Sequence, residues 1–348
     1  MICKIVRPAV PFTGQHGSIF EVHVGAILTV PGRVQLQHRT AQASFNVVDT
    51  GALGISPLAQ WDLLGKSVLD RTIERLQAFG VGEIAVIPEP ANPPQIPNTF
   101  WSAWEAAVAN CLKVDLETLL IIRVGPYVEL DLPDFLRFHR DTSSAMTQVY
   151  DPRGALDLVA INARRLAREE GSFRGRLRNL IPEHQRYHFT GYSNRLSTTS
   201  DFRRLVRDAL VGIAHIRPIG KEVSANVWLG KDARLDRSAV ILPPVYIGNY
   251  CRINAGCVIR ESSAIEQQSL IDCGTTVDDS CILPGTYIGA GLRLCGTIVH
   301  QETLFHLGRN LELRFNDHKL FGRTFSGKAL LPRIRSTAAA PYTQSIMQ

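Results

Sequence analysis

A chain of 348 residues, 45% of them hydrophobic, can bury one large core or two, and a two-domain protein is expected. No apolar run is long enough to span a bilayer, and the opening from Met1 to Pro8 lacks the basic-then-apolar order of a signal peptide, so a cytoplasmic protein with no membrane partner is expected. The net charge of +6 is spread along the chain apart from Arg203, Arg204 and Arg207 and a basic tail, which argues against a nucleic-acid partner. Residues 1–42 are apolar, punctuated by Gly and Pro, and read as a β-rich extension. From residue 43 strands and helices alternate, as in an α/β domain with a mainly parallel sheet that extends to residue 212. A buried strand is expected at 45–48, a helix at 67–79 ended by Gly80, and a strand at 83–87. The proline-rich stretch 88–97 must be loop. Phe100, Trp101, Trp104 and Val108 share one helical face that suits core packing. Residues 119–124 suit the sheet centre, and Asp131 caps a short helix bearing Phe135, Leu136 and Phe138. Helices around 163–170 and 201–210 complete this part, and residues 211–222 form a joint.

From Val223 to Leu283 every sixth residue is aliphatic. The position four residues after each is small or β-branched, as in Val227, Ala233, Ala239, Cys251, Ser263 and Thr275. A period of six fits neither a helix nor a simple strand; it fits a β-helix of three hexads to a coil, with an aliphatic side chain pointing inward at each corner. Turn-tolerant residues follow the aliphatics at Gly230, Asp236, Gly248, Asn254, Asp272 and Asp278. The phase slips by one residue between 283 and 288 and restarts at Ile288 and Leu294. The β-helix is expected over 213–308, a hairpin turning at Asn316 and Asp317 over 309–325, and a disordered tail over 326–348. The seven cysteines, Cys3, Cys111, Cys251, Cys257, Cys273, Cys281 and Cys295, contain no Cys-x-x-Cys pair and no metal-spaced His. Cys251, Cys257 and Cys281 fill the small interior slot, so the cysteines read as core residues in a reducing compartment and no metal site is expected. Because β-helices have open ends and flat faces, a homo-oligomer is expected.

Three segments carry a resemblance. They are Gly65-Lys66-Ser67-Val68-Leu69-Asp70 with the helix and strand that follow, residues 119–125 leading to Asp131 and the Phe138-His139-Arg140 run, and residues 191–202, Gly-Tyr-Ser-Asn-Arg-Leu-Ser-Thr-Thr-Ser-Asp-Phe. Together with the hexads, residues 45–300 resemble the sugar-nucleotide pyrophosphorylases, such as mannose-1-phosphate guanylyltransferases. The fold this implies is a nucleotidyltransferase-like (Rossmann-like) α/β domain followed by a left-handed parallel β-helix. The ligand-binding cleft it implies lies at Gly51, Gly54, Lys66, Gly125, Tyr192, Asn194 and Arg195, and the ligand is a nucleotide-sugar or sugar phosphate.

At the positions that would carry the chemistry the chain departs from the resemblance. The family's phosphate loop has an Arg where Gly54 stands, its Pro-Lys-Pro lysine is missing between Leu58 and Gly65, and its two metal-binding carboxylates correspond to Pro126 and Arg195. Proline cannot coordinate a cation, and a guanidinium repels one. The leading reading is a catalytically degenerate nucleotide-sugar-binding or regulatory subunit, pairing with an active homologue, with no confident catalytic residue. A second reading keeps Mg2+-dependent nucleotidyl transfer by recruiting Glu129 or Asp131. A third is a hexapeptide acyltransferase using His300 as general base, with His306 nearby in sequence.

Overall fold

The computed structural model describes residues 4–6, 23–31, 58–89, 98–113 and 115–324. The expected strand at 45–48, the cleft glycines Gly51 and Gly54, and the tail from residue 325 lie outside the described residues.

Seven strands form the first sheet, in the order Lys4–Val6, Glu83–Glu89, Val24–Pro31, Thr118–Arg123, Gly154–Asn162, Met146–Asp151 and His184–His188. Val24–Pro31 pairs in parallel with both Glu83–Glu89 and Thr118–Arg123, whereas Gly154–Asn162 runs antiparallel to its two neighbours. This corrects the boundary expected at residue 42. Val24–Pro31 is a central strand of the sheet and not part of a separate extension, because its side chains are buried on both faces. Ala26, Leu28 and Val30 pack on one side with the helices α1 (Val68–Phe79), α3 (Leu132–Asp141) and α6 (Thr199–Leu210); Ile27 packs on the other. That second side is covered by α2 (Asn98–Leu112), α4 (Ala163–Arg168) and α5 (Phe173–Leu180), where Phe100, Trp104 and Val108 are core residues. The helix ends follow local chemistry. The Ser67 hydroxyl caps α1 and Gly80 closes it at φ 91°, Asp131 caps α3, and Thr198 with Asp201 forms a capping box on α6. Helix α5 was not expected, although Ser172 before Phe173 is an ordinary N-cap signal. Among the described residues no helix is long and apolar enough to cross a membrane.

The second unit is a stack of parallel strands on three faces. One face holds Val227–Leu229, Val245–Ile247, Ser263–Ile265, Cys281–Ile282 and Thr297–His300 in order. The other two begin at Arg234–Leu235 and Val240–Ile241. Successive coils are offset by eighteen residues, as in the Asn249 side-chain Oδ1 that accepts from the Lys231 N–H, and later by seventeen, as in the Ser263 hydroxyl that accepts from the Ser280 N–H. Ile247, Ile253, Ile259, Ile265, Ile271 and Val277 form the sealed interior expected of a hexapeptide β-helix. The slip falls earlier than expected. Ile265 pairs with Ile282, so Ile282 takes the interior slot, while Leu283 and Cys281 face outward into the core shared with α1 and α6. Cys251 and Cys257 are interior; Cys281 is not.

Val223 is also outside the interior. It lies on Lys221–Ser224, an antiparallel strand on the first coil, and is half exposed. Gly230 and Gly248 are needed for close approach rather than for a turn: a Cβ on Gly230 would lie 2.4 Å from the Asn249 nitrogen of the next coil. The hairpin expected at Asn316 and Asp317 does not form. Leu311–Arg314 pairs with Thr303–His306 on one face, and Phe321–Arg323 pairs with Thr286–Ile288 on another, because each finds an unpaired coil edge to cover.

Candidate functional site

The two units share one core and two polar clamps. Tyr246, Ala264, Cys281 and Ile298, one outward row of the β-helix, belong to the same apolar cluster as α1 and α6. The buried Arg203 of α6 donates to the Asp279 carbonyl and carboxylate at 2.9 and 2.6 Å, and Arg207 joins the same carboxylate. In the other clamp, the buried Glu266 accepts from two consecutive main-chain N–H groups, Leu64 at 2.7 Å and Gly65 at 2.9 Å. Leu64 and Gly65 sit at positive φ, which turns both N–H groups toward one acceptor. Burial first, and the neighbouring charge of Asp62 second, push the Glu266 carboxyl far above the ordinary range. The sequence signal was present but unread: Glu266 stands at the corner position that Gly248 fills one coil earlier.

Of the described cleft residues, some meet and some do not. Ser193–Asn194 pairs antiparallel with Tyr127–Val128, with Asn194 opposite Tyr127, so Pro126 and Arg195 are next in line on one small ribbon. Gly125 is in the turn just before, half-buried, with open space at its Cα. Arg195 is engaged within the protein. It donates to the buried Asp151 carboxylate at 2.6 Å and to the Gly154 carbonyl at 3.2 Å. Burial opposes ionisation of Asp151, but Arg195, the Arg153 N–H and the Ser193 hydroxyl together hold its carboxyl below the usual range. Asn194 is fully buried, donates to the Asp201 carbonyl and accepts from the Leu196 N–H. It shapes the turn into α6. The Tyr192 hydroxyl donates to Asp208 at 2.6 Å, and Lys66 pairs with Glu74 at 2.5 Å.

The carboxylates offered as substitutes are also engaged. Asp131 accepts from the Asp134 N–H as the α3 cap. Glu129 is held by the Tyr127 hydroxyl at 3.1 Å, by the His215 N–H, and by His215 Nδ1 at 2.6 Å. Among the described residues no group of three or more His, Cys, Asp and Glu converges on a point. Proline offers no side-chain ligand and the Arg195 guanidinium repels a cation, so these two positions do not fit Mg2+. His300 and His306 lie on adjacent strands but at opposite ends of the pairing, opposite Thr303 and Thr297. Burial, with Arg323 nearby, lowers the pKa of His300, and the buried His306 Nδ1 has no hydrogen-bond partner.

A cavity of about 360 Å³ opens beside the ribbon, where the parallel strands end. It lies between α1, the turn at Pro126 and Tyr127, the strand Gly154–Asn162 and the joint at His215 and Ile216. Of the described residues expected to form the cleft, none lines it; Pro126 is the nearest in sequence that does. Residues 226–261 match the bacterial transferase hexapeptide family (six repeats), over the first coils of the β-helix. No curated protein matches the chain in sequence.

Proposed function

We propose that the chain is a nucleotidyltransferase-like protein of sugar-nucleotide or polysaccharide-precursor metabolism that no longer transfers nucleotides and serves as a nucleotide-sugar-binding or regulatory subunit. One observation carries the loss of chemistry. Where the resemblance puts two metal-binding carboxylates, the ribbon has Pro126 and an Arg195 already neutralised by Asp151. Without a metal to bridge the phosphates, transfer loses several kcal/mol of transition-state stabilisation. The cytoplasmic, homo-oligomeric state, the left-handed twist of the coils, a boundary between the two units near residue 213 and pairing with an active homologue belong to the same proposal.

Calorimetric titration of the folded protein with a panel of nucleotide-sugars is expected to give a saturable heat with at least one of them. Mixing it with nucleoside triphosphate, hexose 1-phosphate and Mg2+ is expected to release no pyrophosphate above background. Silence across the panel ends the ligand-binding version; steady pyrophosphate release ends the non-catalytic one.

The family match over 226–261 favours one alternative, acyl transfer with His300 as base. Its lowered pKa keeps His300 neutral at working pH, as a base requires. On this reading acetyl-CoA is consumed with a sugar amine as acceptor, and His300→Ala abolishes the consumption. The leading reading expects none with either protein.

A further inference from the structure

We propose that the cavity beside α1 binds a small molecule with a flat apolar body and one anionic group, a carboxylate or a phosphate. None of the described cleft residues lines this site, although Pro126 beside them does, and the inference does not rest on the nucleotidyltransferase reading. Its volume of about 360 Å³ is that of a small-molecule pocket. The floor is apolar, formed by Leu76, Ile122, Leu132, Leu156, Leu158 and Ile216. Such a surface favours a ring over a sugar or a free ion.

The polar rim decides the charge of the occupant. Arg71 and Arg75 stand one turn apart on α1 and both line the cavity. Among the described residues their hydrogen bonds go only to main-chain carbonyls. Arg71 donates to Leu63, Leu64 and Arg217, and Arg75 donates to Val128 and Leu130. A carbonyl orients a guanidinium without cancelling its charge. Of the other charged groups at the rim, Arg123 pairs with Glu89 and Asp157 and Glu74 with Lys66, while His215 bonds Glu129, an ion pair only when the imidazole is protonated. Arg71 and Arg75 thus line the space with no direct ion pair among the described residues. Arg71 Nε is in addition buried with no partner among the described residues. Burial lowers the pKa of both guanidinium groups and outweighs the pull of Glu266 and Glu74 on Arg71 and of Glu129 and Asp131 on Arg75, so among the described residues neither has an anion in direct contact. A bound carboxylate or phosphate supplies that anion, and arginine is the residue suited to hold either through paired N–H groups.

The test uses the full chain and the fluorescent probe anilinonaphthalene sulfonate, a flat apolar anion, with its neutral counterpart phenylnaphthylamine as control. The sulfonate is expected to bind one per chain, at least tenfold more tightly than the neutral dye. Arg75→Gln is expected to weaken it tenfold or more, and Arg75→Lys to keep it within threefold. Leu158→Trp, which fills the floor, is expected to abolish it. Should Leu158→Trp fail to fold by circular dichroism, the Gln and Lys pair at position 75 still decides. Competition with phenyl phosphate and benzoate then names the anion, according to which displaces the dye. Equal binding of the two dyes, no difference between Arg75→Gln and the parent protein, or displacement by neither competitor overturns the proposal. A nucleotide-sugar heat that persists in Arg75→Gln, with dye binding lost, separates this site from the one proposed above.

Discussion

Arg195→Ala is expected to destabilise the protein by about 3 kcal/mol, the lower end of the cost of breaking a buried pair, because the guanidinium is still 29% exposed while the Asp151 side chain is only 1% exposed. The mutation removes the charge that compensates Asp151 and leaves the carboxylate with the Ser193 hydroxyl and the Arg153 N–H alone. Urea denaturation at neutral pH measures the loss. The pH dependence is a second check. Asp151 ionises more readily folded than unfolded, so its contribution is present above the unfolded value of about 3.9 and fades as pH falls through the lower folded value. The gap between the parent protein and Arg195→Ala should therefore narrow on acidification. A gap below about 0.5 kcal/mol at neutral pH, the range of an ordinary surface change, would mean that the pair is dispensable and that Arg195 is free for a ligand.

The Glu266 clamp has the opposite sign. Its carboxyl is pushed up to about 8 by burial and by Asp62, above the unfolded value of about 4.3. The stabilisation tied to its proton is complete below the unfolded value and is lost as pH rises through the folded one. Stability is thus expected to fall between about pH 5 and pH 8, by on the order of a few kcal/mol. Glu266→Gln should flatten that slope. The amide offers one carbonyl oxygen to two N–H donors, so the variant should be about 1 kcal/mol weaker at the acid end and stronger above pH 8. The two stability curves should cross. Parallel curves would remove Glu266 from the account.

Much of the fold was legible because its signals are local and repeated. The hexads declare the β-helix, since an aliphatic every six residues has no other use; Ser67, Gly80, Asp131 and Thr198 announce helix ends in their own side chains. The slip was misplaced because Ile282 and Leu283 are both aliphatic, and only pairing to Ile265 tells which one turns inward. Val24–Pro31 was set aside because a central strand is apolar throughout, and nothing local says which sheet it joins. At the proposed site, the sequence already puts Pro126 and Arg195 where the resemblance implies two carboxylates. That Arg195 would find Asp151 was not readable, since the partners are 44 residues apart and meet only through the fold. The cavity was invisible for the same reason: Arg71 and Arg75 look like an ordinary solvated helix face until the turn at Pro126 and the joint at His215 close over them.

The strands after Thr297–His300 reverse direction and cover two of the three sides of the stack. The solenoid therefore cannot be lengthened by adding repeats after them, and duplication of a whole turn has to occur upstream. Each added turn advances the stack by about 4.8 Å. Inserted before Val245 it leaves Glu266 and Asp279 at their present separation, still matched to Leu64 and Arg203; inserted between them it pulls the two anchor points out of step with α1 and α6. The α/β unit thus acts as a gauge block, fixing the spacing of the middle turns.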